Sequence, residues 1–199
     1  MDTLAGKALP EGSYVTFLGL DDTLCDQYCL AVARLSLTGD SPDFYFGNAE
    51  HRLRGHIRHQ TTPIHPKLFG QNHFLFDIAH PGLMNKWETI RNVRFDTRYR
   101  LAADFDFYIG ITRNRKVSYQ KIPEIQASIG AEGMSNSLAA LEIYPREWSQ
   151  ISSRRKVELD VPRLKIALLR IIAHFPLAFN SLRRAAWLIR GMQAIHKSR

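Results

Sequence analysis

The sequence has few cysteines and no long apolar run. Cys25 and Cys29 have no second pair, so the pattern predicts neither a zinc ribbon nor a disulfide framework. No segment approaches the ~18 uncharged apolar residues of a membrane-spanning helix, and the N-terminal segment lacks the basic-then-apolar order of a secretory signal. We therefore expect a protein of the reducing cytoplasm.

Acidic residues are scarce near the C-terminus. The net charge is +8, yet residues 1–153 contain 16 basic and 17 acidic side chains, whereas residues 154–199 contain 11 basic and 2 acidic ones. Because the body of the chain is nearly neutral, we expect no nucleic-acid partner. A basic segment at one end favours contact with an anionic membrane surface.

The remaining composition, with 45% apolar and 11% aromatic residues in a chain of 199, is typical of one globular domain with a substantial core. Residues 13–18 and 43–47 are aromatic or β-branched and predict two buried strands. Between them, residues 26–37 predict a helix that ends near Gly39. The order strand, helix, strand predicts a parallel or mixed sheet that binds ligands beyond the strand ends.

The pattern is less regular farther along the chain. Residues 48–76 show no clear period and predict irregular structure with an optional edge hairpin. A charged hinge is expected at residues 152–156. The further predicted elements are helices at 83–90 and 102–112, a strand at 117–122, a helix that begins at Ser135, and two helices at 162–174 and 177–196.

Two acidic groups are candidates for chemistry. Asp21 and Asp22 follow the first predicted strand, and adjacent carboxylates are tolerated where a divalent cation neutralises them. Asp104 and Asp106 alternate with aromatic residues at the start of a predicted helix, where a carboxylate can act as a general base. For Asp21 and Asp22 taken alone, helix capping by one and solvation of the other are favoured over metal binding. For Asp104 and Asp106 taken alone, helix capping stays an open alternative.

Taken in order, five segments resemble the motifs of family-two glycosyltransferases that build bacterial surface polysaccharides. The longest match is Phe-Asp-x-x-Tyr-x-Leu-Ala-Ala-Asp-Phe-Asp at residues 95–106. Together the matches cover most of residues 1–150, and their order is more specific than any single one. The five segments are Gly12 to Asp22, Phe46-Gly47-Asn48, Ile78 to Gly82, Phe95 to Asp106 and Ala131 to Ser135.

The resemblance implies a role for each acidic group. Asp22, with Asp21, would bind Mg²⁺ or Mn²⁺ at the diphosphate of the donor. Asp104 falls where the family has its catalytic base. His80 and Asp106 would bind substrate, although a lone histidine is more often structural.

The implied fold is the C-terminal part of an α/β GT-A domain with a mixed sheet, in which residues 1–150 form the catalytic domain and residues 151–199 a basic helical tail. The implied reaction moves a sugar from a nucleotide diphosphate sugar to an acceptor hydroxyl by single displacement with inversion. Residues 144–148 match the signature of processive synthases only in part, so addition of a single sugar is favoured over polymerisation.

Two questions stay open at this stage. The strand and helix repeats that hold the nucleoside in the family have no counterpart here, so the alternative function is a truncated, non-catalytic, membrane-associated remnant or scaffold. The tail has Arg183, Arg190 and Lys197 on one helical side, with Trp187 available as an interfacial anchor. It fits either a peripheral helix on the inner face of the plasma membrane, near a lipid-linked sugar acceptor, or a solvated basic face on its own domain.

Overall fold

The computed structural model of the chain describes residues 9–39, 41–53, 56–60, 79–113, 115–130, 133, 137 and 139–157. These residues form a mixed α/β fold with six strands and four helices. In chain order the elements are β1 (Tyr14–Val15), β2 (Thr23–Leu24), α1 (Asp26–Ser36), β3 (Phe44–Leu53), β4 (His56–Gln60), β5 (Met84–Lys86), α2 (Trp87–Ile90), α3 (Ala103–Thr112), β6 (Tyr119–Gly130) and α4 (Ala140–Arg155).

The described strands form one mixed sheet in the order β1-β5-β3-β6-β2, and β4 also pairs with β3. The long strands β3 and β6 run parallel, from Phe44 opposite Tyr119 to Arg52 opposite Gly130. The other pairings are antiparallel. The mixed sheet predicted from the sequence is confirmed, and β3 is the middle strand of the order, between β5 and β6.

Several predicted elements change length or type in the structure. Helices α1 and α3 match the predictions within a residue at either end, and β3 and β6 are longer than predicted. The first strand is only two residues long. The helix predicted at 83–90 is wrong in its first half, since Met84–Lys86 pair with both β3 and β1. Sheet pairing here overrides a helical spacing of apolar residues.

For residues 48–76 the sequence leaves irregular structure and an edge hairpin open, and the described parts form a hairpin of β3 and β4. The register of β3 against β6 shifts twice, between Phe46 and Asn48 and between Asn48 and Ala49. A Cβ atom at Gly47 would lie 2.5 Å from the carbonyl oxygen of Glu124. Glycine is needed there because the two backbones approach too closely for any side chain.

Helix α3 lies between two hydrophobic clusters. Phe107 and Ile111 pack with Phe44 and Phe46 of the sheet, whereas Ile109 packs with Ile151 of α4. Almost every side of α3 is therefore covered, which fixes the direction of the side chains in its first turn.

Helix α4 begins at Ala140 and ends at Arg155, so it crosses the boundary expected at residue 150. The predicted hinge is wrong for residues 152–155, which are helical. The chain leaves α4 at Lys156, whose φ of 51° is left-handed. The helix start predicted at Ser135 and the tail helices lie outside the described residues. None of the described helices has the length and apolarity needed to cross a bilayer.

Candidate functional site

A cavity of about 450 Å³ lies between the segment that follows β1 and the start of α3. We call it the Asp104 cavity. Its volume falls within the ~300 to 1,000 Å³ of typical small-molecule pockets. The lining residues are Phe17, Leu18, Gly19, His80, Pro81, Phe95, Asp96, Thr97, Tyr99, Leu101, Ala103 and Asp104.

Aromatic rings form one side of the Asp104 cavity. Phe17 meets Phe95 edge to face, with ring centroids 5.0 Å apart. On its other side Phe17 lies nearly parallel to the imidazole of His80, at 6.1 Å. Phe95 is itself stacked on Phe107 of α3 at 4.3 Å. These contacts make a rigid apolar surface beside the polar groups of the cavity.

Asp104 and His80 form a pair at the cavity. The Oδ2 atom of Asp104 lies 3.6 Å from Nδ1 of His80, and the two side chains are 38% and 24% exposed. Burial lowers the pKa of His80 by more than the charges of Asp104 and Asp22 raise it. The imidazole is therefore neutral near pH 7, and its Nε2 atom is buried without a hydrogen-bond partner in the described part of the chain.

The position of His80 depends on Gln126, a fully buried residue of β6. Its side-chain amide donates to the carbonyl oxygens of Ala79 and Pro81, at 2.6 and 2.7 Å. Its carbonyl oxygen accepts the N–H of Gly47 at 2.6 Å. Gln126 thus holds the backbone on both sides of His80 and ties it to the central strand.

Asp22 organises the loop between β1 and β2. Its Oδ2 atom accepts the N–H of Gly19 at 2.9 Å, and its Oδ1 atom accepts the N–H of Gly130 at 3.2 Å. Neither carboxylate of the pair caps the helix that follows, because the N-cap of α1 is Cys25 and has no side-chain cap bond. The capping interpretation of Asp21 and Asp22 is therefore wrong.

Asp21 is exposed and lies against the end of β6. A Cβ atom at Gly130 would collide with its carboxylate, and one at Gly133 would lie 3.9 Å from Oδ2. Among the described residues, no group of three or more His, Cys, Asp or Glu side chains could hold a metal ion. Two carboxylates nevertheless fit Mg²⁺ or Mn²⁺, since Mg²⁺ is usually bound by one or two carboxylates together with substrate phosphates.

The described parts of the five motif segments meet in one region. Gly19 lines the Asp104 cavity and donates to Asp22, so the first segment reaches the fourth. Gln126 joins the second segment to the third, and Gly130 brings the end of β6, next to the fifth segment, against the first. The first, third and fourth segments therefore line one cavity, and hydrogen bonds connect the second segment and the end of β6 to them. Sequence order alone gives no distance between these residues.

Sequence reasoning missed Glu147 of α4, which is only 6% exposed. Its carboxylate accepts the backbone N–H groups of Arg100, Leu101 and Ala102, at 2.7, 3.0 and 2.8 Å. These residues directly precede α3. Because Glu147 already accepts hydrogen bonds from these N–H groups, the carboxylate of Asp104 is not needed as their acceptor and faces the cavity. A single glutamate in an unremarkable helix gives no signal of this role.

Replacing Glu147 with glutamine should lower the free energy of unfolding by about 2 kcal/mol, because a charged acceptor of three N–H groups, two of them buried, becomes an amide with one oxygen. Urea unfolding followed by circular dichroism measures this. Glu142→Gln is the matched control, since Glu142 is exposed on the same helix. Equal midpoints for the two variants would contradict this role of Glu147.

Asp106 lies away from the Asp104 cavity, with its side chain 1% exposed. Arg155 binds its two oxygens through Nε and Nη2, at 2.8 and 2.9 Å, and Arg154 contacts Oδ1. Burial raises the pKa of Asp106, but the hydrogen bonds and charges of the two arginines outweigh it and hold the pKa below its usual value. These contacts connect α3 to α4, and the substrate-binding role stays a prediction that the geometry does not favour.

Comparison of the chain with protein-family models, with curated proteins and with solved structures gives no match.

Proposed function

We propose that the chain carries the acceptor side and the metal-diphosphate side of a glycosyltransferase of GT-A type, which transfers a sugar from a nucleotide diphosphate sugar to an acceptor hydroxyl. The observation that supports this most is that three motif segments, at residues 12–22, 78–82 and 95–106, line the Asp104 cavity. An acidic pair and a separate carboxylate beside one cavity are what a metal-assisted group transfer with a general base requires.

In this proposal Asp104 removes the proton of the acceptor hydroxyl. Its Oδ1 atom accepts the N–H of Phe105 at 2.7 Å, while Oδ2 faces the imidazole of His80. His80 lies beside this oxygen with Nδ1 3.6 Å away, a contact longer than a hydrogen bond. Burial disfavours the charged form of the imidazole. The aromatic side of the cavity excludes water from the acceptor and holds its ring.

Asp21 and Asp22 would hold the divalent cation, whose chemistry is to stabilise negative charge on the departing diphosphate. Asp22 has a second role, since it joins Gly19 to Gly130. The orientation of the loop that lines the cavity therefore depends on the same carboxylate that would bind the metal.

Asp22→Ala in the full-length protein should abolish both turnover and dependence on Mn²⁺. The assay measures release of the nucleoside diphosphate from UDP- and GDP-sugars at increasing Mn²⁺ concentrations. It reports turnover and its dependence on Mn²⁺. Asp22→Asn loses the charge and keeps one oxygen, which can accept the N–H of Gly19 or that of Gly130 but not both. Urea unfolding of the same variant therefore reports the loop role, and the cation titration reports the metal role. Wild-type cation dependence in the asparagine variant would contradict Asp22 as a metal ligand.

The proposed function is tested by transfer itself. Full-length protein incubated with nucleotide sugars, Mn²⁺ and an acceptor extract should form a new glycoside. Absence of both donor binding and transfer would overturn the proposal and leave the membrane-associated remnant or scaffold as the remaining function. A peripheral membrane position and a lipid-linked acceptor also remain proposals, since the tail lies outside the described residues.

A further inference from the structure

The two cysteines of the chain lie together at the start of α1. Cys25 is the N-cap residue of the helix. Cys29 lies one turn later, and its N–H donates to the carbonyl oxygen of Cys25 at 3.1 Å. Both are free, partly exposed thiols, and both side chains pack against the hydrophobic cluster that contains Tyr28 and Val32. The two thiols are therefore on one side of the helix, one turn apart.

This arrangement is close to the geometry that a disulfide needs. Residues one turn apart in a helix have Cα atoms about 6 Å apart and Cβ atoms about 5 to 6 Å apart. A disulfide accepts roughly 4.4 to 6.8 Å between Cα atoms and roughly 3.5 to 4.5 Å between Cβ atoms. The Cα separation already fits, so a bridge requires only that the first turn move the Cβ atoms together by about 1 to 2 Å.

Cys25 can make this movement more easily than a residue inside the helix. Its φ of −89° and ψ of 126° are extended, and no side-chain bond caps the helix there, so no capping interaction is lost. Its own N–H donates to the backbone carbonyl oxygen of Gln126 at 3.0 Å. Moving Cys25 toward Cys29 therefore changes the contact between α1 and β6.

Gln126 connects this contact to the Asp104 cavity. The pairing of β6 with β3 passes from Ile125 to Ala127, so Gln126 is an extra residue without a pairing partner in β3. Such a bulge redirects a side chain and bends its strand. The side-chain amide of Gln126 holds the backbone on both sides of His80. The position of the bulge therefore sets the position of this histidine.

We propose that Cys25 and Cys29 form a reversible oxidation site, in which closure of a disulfide moves Gln126 and, through it, the segment around His80. A bridge across one helical turn is strained, and strained disulfides are the easily reduced, regulatory ones. In a reducing cytoplasm, disulfides are transient and often redox-sensing. The pair would thus report a shift toward oxidising conditions to the cavity.

The oxidant in this proposal is a small-molecule disulfide such as oxidised glutathione. The thiolate of one cysteine attacks it, which forms a mixed disulfide and releases one glutathione thiolate. The second cysteine loses its proton to water and attacks the mixed disulfide at the protein sulfur, which releases the other glutathione thiolate. Two protein thiols are oxidised and one glutathione disulfide is reduced, so the electrons balance.

The oxidation is tested on the full chain in glutathione buffers of increasing oxidised-to-reduced ratio, followed by alkylation and mass spectrometry. The sequence contains only these two cysteines, so the oxidised protein should take up no alkylating agent and no glutathione, and a reductant should restore both thiols. Burial and the charge of Asp26 raise the pKa of Cys29, so oxidation should become faster as the pH rises. Glutathione adducts alone, disulfide-linked dimers alone, or unreacted thiols would overturn the proposal.

The connection to the cavity is tested by NMR. The side-chain amide resonance of Gln126 and the imidazole resonance of His80 should both shift when the wild-type protein is oxidised. The matched control replaces both cysteines with serine, or with alanine if the serine variant does not fold. Its resonances should stay unchanged at every glutathione ratio.

Two results would contradict this connection. One is a wild-type protein that contains the disulfide but keeps both resonances in place. The other is a control variant whose resonances shift with the glutathione ratio, since it has no thiol to oxidise. These measurements need no sugar transfer, so their outcome is independent of the proposed function.

Discussion

Asp104→Asn in the full-length protein is expected to lower sugar transfer by ~10² to 10⁴ while donor binding persists, because it removes the base but preserves size. The local backbone should be retained, since the asparagine oxygen can still accept the N–H of Phe105. Transfer rates and calorimetric donor affinity, measured on the same preparation, give the two quantities separately.

The control for this experiment is Asp26→Asn, the same chemical change at an exposed position of α1. It should transfer sugar at the wild-type rate. Near-normal transfer by Asp104→Asn would eliminate Asp104 as the base. A parallel loss of donor binding and transfer would instead indicate that the substitution damages the site as a whole.

Asp106→Asn should lower the free energy of unfolding by about 3 kcal/mol, a larger loss than we expect at Glu147. The substitution leaves Arg155 and Arg154 facing a neutral side chain in a buried position, and breaking a buried ion pair from one side is costly. Gly110 leaves room for this arrangement, since a Cβ there would lie 3.2 Å from the guanidinium of Arg155 and the arginine would have to shift slightly. Urea unfolding midpoints compared with Asp26→Asn measure the difference.

The loss of unfolding free energy caused by Asp106→Asn should become smaller as the pH is lowered. The arginines hold the pKa of Asp106 below its usual 3.8, so the folded state binds a proton less readily than the unfolded chain. The stabilisation is complete above the unfolded pKa and disappears as the pH falls through the folded one. The wild-type protein and Asp106→Asn should therefore converge in stability as the pH falls below about 4. A difference that stays constant down to acid pH would show that the ion pair is not its source.

The carboxylates at residues 104 and 106 illustrate the limit of sequence reasoning. Both occupy the first turn of α3, and the pattern of alternating acidic and aromatic residues assigns them similar environments. The structure separates them, since Asp104 lines the cavity and Asp106 is enclosed by two arginines of α4. Arg155 lies 49 residues from Asp106 in sequence, and no local pattern encodes that contact.

Other differences between the sequence predictions and the structure also come from contacts between residues far apart in the chain. The spacing of apolar residues at 83–90 satisfies a helix, but pairing with β1 and β3 turns Met84–Lys86 into a strand. Gln126 and Glu147 are ordinary polar residues in the sequence, and only burial against backbone groups gives them their structural roles. In each case a long-range contact decides what a local pattern leaves open.

What the sequence by itself determined is the order of the local elements and the chemistry available to them. Helices α1 and α3 follow from their residues, as does the placement of acidic groups at a loop and at a helix start, because these depend on neighbours along the chain. Only the tertiary structure decided that Asp22, His80 and Asp104 lie together while Asp106 does not. Packing of α3 between the sheet and α4 made that choice, since it fixes which side of one helical turn faces the cavity and which faces another helix.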